Sequence, residues 1–215
     1  MAGAFLLYAA AFLAAAASAF TARTTTTPFV TRPSFAHSTT TAAPRSSRGT
    51  MRMMRAPPTT IKIGIFGGGT VGGGIVDILT KKSAYFTDLT GHNLEVSKIC
   101  VRDASKPRDF DVPEGCTITD KYSDILEDDD IDMVVEVMGG TTDAKDVVFA
   151  SLRAGKDVVT ANKALIAKDL VEIESVLEEV NDGKDPSSEV EFRYEAAVCG
   201  GIPIIRSLQS DFVGD

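Results

Sequence analysis

From Ile61 onward the apolar positions fall into short solid runs that alternate with longer stretches of helical spacing. Ile61–Phe66 is a run rich in β-branched residues and Met133–Met138 a short buried one, while Leu94–Val101, Val158–Thr160 and Val190–Val198 also read as strands. Short continuous runs of this kind are what strands buried on both faces require. Between them Val71–Leu79, Thr142–Ala154 and Ala164–Val180 read as helices; in the last, Leu165, Ile166, Leu170, Ile173 and Leu177 share one side. Gly155 and Asn181-Asp182-Gly183 are stop signals after two of them. Thr80–Asn93 reads as a polar insert, and Ile202–Leu208 opens a further helix after Gly200-Gly201. Strand and helix in alternation predict an α/β domain with helices on both faces of a parallel sheet.

The junction between the first strand and the first helix carries Gly67-x-Gly69-x-x-Gly72. In that context the three glycines do different things. Gly67 permits the tight turn, Gly69 lets the backbone approach a pyrophosphate, and Gly72 allows close helix–strand packing. The pyrophosphate then meets the free N–H groups and positive dipole end of the helix. A Rossmann-type, doubly wound parallel sheet over residues 61–194 is the fold this predicts. Gly73 and Gly74 lie inside the helix, where glycine costs up to about 1 kcal/mol against alanine. That too points to close backbone approach.

The second strand ends Cys100-Val101-Arg102-Asp103, followed by Lys106-Pro107-Arg108. At this place an acid bonds the 2′-hydroxyl of NAD, whereas an arginine accommodates the 2′-phosphate of NADP. Arg102, Lys106 and Arg108 favour the phosphate; Asp103 keeps NAD open as the alternative. Met138-Gly139-Gly140-Thr141-Thr142 supplies a strand-end glycine pair, and Thr141 or Thr142 is expected to cap the following helix. Lys163 follows Thr160-Ala161-Asn162 at the carboxyl edge, where open α/β sheets place ligands. It is a cation beside cofactor and substrate or a solvated helix-start residue. The strand Glu195–Val198 leaves through glycines, and carbonyls freed there suit a hard cation such as sodium, though the spacing does not require one.

The first sixty residues differ in kind. Ala2–Phe20 is an almost unbroken apolar run ending in Ala17-Ser18-Ala19-Phe20, a small-residue cleavage pattern. It predicts a removable signal peptide over residues 1–20 in preference to a membrane span. Residues 21–60 hold six arginines, many Ser and Thr, and no Asp or Glu, the composition of a transit peptide. A signal peptide joined to a transit peptide resembles the bipartite presequence of algal plastids enclosed by extra membranes, and predicts a plastid (chloroplast) address. The chain has 22 basic and 30 acidic side chains; without the six arginines the remainder stands at 16 against 30. So acidic a domain disfavours nucleic acid and anionic membranes as partners. Cys100, Cys116 and Cys199, odd in number and without CxxC spacing, argue against a disulfide framework or a thiolate metal site.

The runs GIFGGGTVGGGIV, VRDASKPR, EVMGGTTDA, AGKDVVTANKALIA and YEAAVCGGIPIIRSL resemble homoserine dehydrogenase, in order and spacing, over nearly all of Ile61–Asp215. The resemblance implies NADP-dependent (or NAD-dependent) reduction of L-aspartate 4-semialdehyde to L-homoserine, on the route to threonine, methionine and isoleucine. It implies that Gly67, Gly69, Thr70, Val71 and Gly72 hold the pyrophosphate and that Arg102 and Lys106 face the 2′-phosphate. Thr142 then lies near the nicotinamide end. Lys163 stands beside cofactor and substrate, auxiliary to the family's proton-donating lysine. Backbone oxygens of Glu195, Val198, Gly200 and Ile202 match a sodium site. The family continues into an α+β substrate domain that carries the principal lysine, and its full-length members are expected to be homodimers. Residues 195–215 are expected to be the start of that domain, so the chain as written is expected to bind cofactor without turnover. The alternative is a non-catalytic nucleotide-binding module or a regulatory partner of a full-length dehydrogenase. An aspartate-semialdehyde dehydrogenase would need an activated thiol, and Cys199, the one candidate near a strand end, has no histidine beside it.

Overall fold

The computed structural model describes residues 58–198 together with Ile204 and Leu208. Nearly all of the expected presequence lies outside the described residues, as do Cys199, Gly200, Ile202 and most of the helix expected over 202–208. The described chain builds β1 (Thr59–Phe66), α1 (Thr70–Lys81), α2 (Ser83–Thr90), β2 (His92–Cys100), β3 (Thr117–Thr119) and α3 (Ser123–Leu126). It continues with β4 (Met133–Glu136), α4 (Thr142–Arg153), β5 (Asp157–Thr160), α5 (Lys163–Asn181) and β6 (Phe192–Arg193), then a single 3₁₀ turn at Glu195–Ala197. The strands form one parallel sheet in the order β3-β2-β1-β4-β5-β6, the order of doubly wound dinucleotide folds. The winding reverses between β1 and β4, so the crevice at their carboxyl ends is the expected place for a ligand.

The period of two along each strand sorts its side chains between the two faces. Ile61, Ile63 and Ile65 join Met133, Val135 and Val159 beneath Ile75, Val76 and Leu79 of α1 and Phe86 of α2. Phe66, Val134 and Val158 face the other way, onto Val147 and Leu152 of α4 and Leu165 and Ile173 of α5. Gly64 faces that second layer too, and a Cβ there would lie 2.6 Å from Ile125 Cγ2 of α3.

Three expectations change. The polar insert over 80–93 is instead the end of α1, the short helix α2 and the start of β2. Thr80 and Thr87 turn their hydroxyls onto Val76 O and Ser83 O, which lets polar residues continue a helix. Gly91 then closes α2 at φ 81°. The run Val190–Val198 gives only Phe192–Arg193 to the sheet, because the chain winds into the 3₁₀ turn with Ala197 N–H donating to Tyr194 O. Neither Thr141 nor Thr142 caps α4: Thr141 holds the N-cap position without a side-chain bond. Among the described residues no helix is long and apolar enough to cross a membrane.

Candidate dinucleotide-binding site

At the carboxyl end of β1 the chain turns through Gly67, at φ 116°, whose N–H donates to Cys100 O at 2.9 Å. A Cβ on Gly67 would stand 2.7 Å from Val137 O, so the turn is held between β2 and β4. Gly72, in the first turn of α1, rests against the Gly67 carbonyl: a Cβ would lie 1.8 Å from that oxygen. Gly69 is different. A Cβ there would meet nothing within 4 Å, and Gly69 caps α1 without any side-chain bond and with no acid in the first turn. The N–H groups that open a helix therefore face open space, which suits a pyrophosphate.

That space is a cleft of about 900 Å³. Gly67, Gly69, Thr70, Arg102 and Lys106 all line it. Val71 and Gly72 stand behind it in α1, while Thr142 and Lys163, the exposed first residues of α4 and α5, lie outside its walls. On the far side the cleft reaches Met138, Gly139 and Asp143, and Asp143 accepts a 3.3 Å bond from the Tyr122 hydroxyl.

The wall after β2 is a seated loop. A Cβ on Gly68 would lie 2.6 Å from Val101 Cγ1, and one on Gly73 would lie 2.4 Å from the Phe110 ring. Gly73 lines the cleft, and the close approach its place in the glycine run suggests is made there by a protein side chain, Phe110. In the same loop one oxygen of Asp103 is engaged: its Oδ1 accepts the Ser105 N–H at 3.0 Å and the Ser105 hydroxyl at 2.6 Å. Those bonds hold its carboxyl below the ordinary carboxylate range. Its carbonyl accepts from Arg108, whose Nε is buried without a partner among the described residues. Arg102 and Lys106 are exposed in the wall.

Cys100 also lines the cleft, but burial and then the nearby Asp120 and Asp124 push its thiol up to about 11. Burial does the same to Cys116, also to about 11. Both are free cysteines and are protonated at neutral pH, poor nucleophiles by that measure.

The sequence pattern passes over Glu136, although it is the one charged residue in the run Met133–Met138. It ends β4 directly opposite Thr160 and is fully buried. Its Oε1 accepts the Met138 N–H at 2.7 Å and its Oε2 the Thr160 hydroxyl at 2.6 Å. Thr160 Oγ1 accepts the Asn162 N–H at 3.0 Å, and Asn162 Nδ2 donates to Gly140 O at 2.7 Å. Asn162 Oδ1 accepts from Leu165 N–H at 3.1 Å and so caps α5. Burial pushes the Glu136 carboxyl above its ordinary value, against the bonds from Thr160, Met138 and Asn162.

The model of the homoserine dehydrogenase NAD-binding domain matches residues 67–184, from the glycine turn to the end of α5. The chain belongs to the homoserine dehydrogenase family. The homoserine dehydrogenase of Corynebacterium glutamicum is 38% identical over 161 residues, which are 75% of this chain and 34% of that protein. Among solved structures, the homoserine dehydrogenase from Thiobacillus denitrificans superposes with a TM-score of 0.60 at 34% identity, over 71% of this chain and 33% of that one. A hyperthermophilic archaeal homoserine dehydrogenase in complex with NADPH gives 0.53 at 25% identity, over 70% of this chain and 48% of that one. The chain spans about a third of the length of the curated relatives it matches.

The 3₁₀ turn carries Glu195, the first of the expected sodium ligands, and Val198, the second, follows it; Glu195 O already accepts the Val198 N–H at 3.1 Å. The other two, Gly200 and Ile202, lie outside the described residues.

Proposed function

We propose that this chain is the cofactor-binding part of an NADP-dependent dehydrogenase that reduces L-aspartate 4-semialdehyde to L-homoserine. The observation that carries the coenzyme choice is the engagement of Asp103 by Ser105 beside exposed Arg102 and Lys106. One oxygen of that acid is taken up by its own turn, and the two exposed cations beside it suit a phosphate. The archaeal relative solved with NADPH supports the same choice. When bound, the reduced nicotinamide supplies the hydride that the aldehyde carbon receives. Gly69, Thr70 and the first turn of α1 hold the pyrophosphate. Thr142 and Lys163, opening α4 and α5 at the carboxyl edge, serve the nicotinamide and substrate side. There the Lys163 ammonium is an auxiliary positive charge at the carbonyl oxygen, and the family's principal lysine belongs to the substrate domain.

The test is calorimetric titration of the chain with NADPH and NADH. Arg102→Ala is expected to weaken NADPH about 10- to 100-fold, the worth of a charge-assisted phosphate contact, and to change NADH less than about threefold. Equal losses for both would remove the phosphate from Arg102.

Three further parts of the proposal rest on the sequence. A sodium ion is held by backbone oxygens of Glu195, Val198, Gly200 and Ile202; the full-length protein is a homodimer; and residues 1–60 direct the protein to a plastid. A fluorescent protein carrying residues 1–60 is expected inside the plastid of a suitable alga. A diffuse cytosolic signal would end that reading.

A further inference from the structure

We propose that Glu136 is a positioning residue that fixes the gap between the turn after β4 and the turn after β5. In doing so it shapes the seat of the nicotinamide half of the dinucleotide, a role that rests on the dinucleotide reading above. Its two oxygens are both used, and every partner in the network belongs to one of these two turns. Met138 N–H ties Glu136 to the strand end that leads into Gly139-Gly140. Thr160 ties it to the strand that leads into Asn162 and Lys163. Asn162 then closes the ring, reaching back to Gly140 O while capping the helix that begins with Lys163. Gly140, at φ 88°, holds a left-handed conformation under that bond.

Stability alone does not account for a carboxylate here. A fully buried carboxyl is costly to ionise, and burial pushes Glu136 above its ordinary value. An apolar side chain at the end of β4 would pack against the same layer without that cost. What the carboxylate adds is direction: a polar network that is fully satisfied selects one arrangement of the groups it joins. The groups joined are the lips of the crevice at β4 and β5: Met138 and Gly139 line the cleft beside the glycine turn, and Asn162 and Lys163 lie one strand further from the wall that bears Arg102.

Two ligands separate this role from a general one. NADPH spans both halves of the crevice; 2′-phospho-ADP-ribose keeps the adenosine, the 2′-phosphate and the pyrophosphate but lacks the nicotinamide. Both are titrated into the 215-residue chain and into Glu136→Gln, Thr160→Val and Thr160→Ser. Glu136→Gln and Thr160→Val are expected to lose about tenfold in NADPH affinity, the effect of one broken hydrogen bond. Affinity for 2′-phospho-ADP-ribose is expected to stay within about twofold. Thr160→Ser, which keeps the hydroxyl, is expected to restore NADPH binding. Equal loss on both ligands, no loss on either, failure of the serine rescue, or unfolding of both Glu136→Gln and Thr160→Val overturns the positioning role. Failure of the unaltered chain to bind either ligand overturns the dinucleotide reading itself.

Discussion

Gly72→Ala is expected to unfold much of the domain, whereas Gly69→Ala, three residues earlier, is expected to leave it folded and unable to hold a dinucleotide. The new methyl at 72 would lie 1.8 Å from the Gly67 carbonyl oxygen, a backbone atom that cannot rotate away. Ordinary contact would need α1 to lift by about 1.5 Å. That movement would pull Ile75, Val76 and Leu79 from the layer over β1 and β2. The cost is about 3 kcal/mol or more, at the upper end for overpacking. At 69 the methyl meets nothing within 4 Å, and φ −86°, ψ −161° is a conformation alanine adopts freely. Stability is therefore expected to change by less than about 0.5 kcal/mol. Dinucleotide affinity is expected to fall at least about tenfold, because the methyl takes the space the pyrophosphate needs. Thermal unfolding followed by circular dichroism, with NADPH titration of each variant, checks both. A Gly69→Ala chain that binds as tightly as the unaltered one would move the pyrophosphate away from that glycine.

Lys156→Met is expected to cost about 1–3 kcal/mol of stability while dinucleotide affinity holds. Lys156 is 4% exposed and sits before β5, at the edge of the sheet opposite the cleft. Its ammonium donates to Asp128 O at 2.6 Å and Ile131 O at 3.0 Å, and so closes the turn that delivers the chain to β4. Methionine keeps the stem but leaves Ile131 O without this donor, about 1–3 kcal/mol before relief of the buried charge is counted, while Asp128 O keeps the Ile131 N–H at 3.1 Å. The comparison is Lys62→Met: its pair with Asp130 is exposed, at 38% and 75%, and its loss is expected to change stability far less. Denaturant midpoints of the two variants give the contrast. A Lys156→Met chain as stable as Lys62→Met would show that the two carbonyls are not dependent on the ammonium.

What the sequence made legible is what acts locally. The glycine turn needs only neighbours in the chain; β4, β5 and the last four residues of β1 are buried on both faces and read as short apolar runs, while β2 shows itself by apolar Leu94, Val96 and Ile99 among polar residues. α2 escaped because it buries only Phe86 and Thr90, too little for a helical stripe. β3 has three residues, fewer than any pattern can resolve. β6 was overestimated because Glu195–Ala197 is as compatible with a strand as with the turn it forms. At the site, Gly69 and Arg102 are read from position in the motif, whereas Glu136 depends on Thr160, 24 residues away on the next strand. Its one signal was a charge in an apolar strand, which tells of a partner without naming it. The group that approaches Gly73 is hidden for the same reason, since Phe110 belongs to the loop beyond β2.

Because Phe110 rests on the bare backbone of Gly73, these two positions cannot drift independently. A lineage that gains a side chain at 73 must shrink the ring at 110, and the loop carrying Arg102, Lys106 and Arg108 loses its footing on α1. Grafting a foreign loop between β2 and β3 meets the same constraint from the other side: the donor must bring a flat group to cover Gly73. Redesign of coenzyme preference in this domain is thus governed by a packing contact between two uncharged residues as much as by the charges that face the ligand.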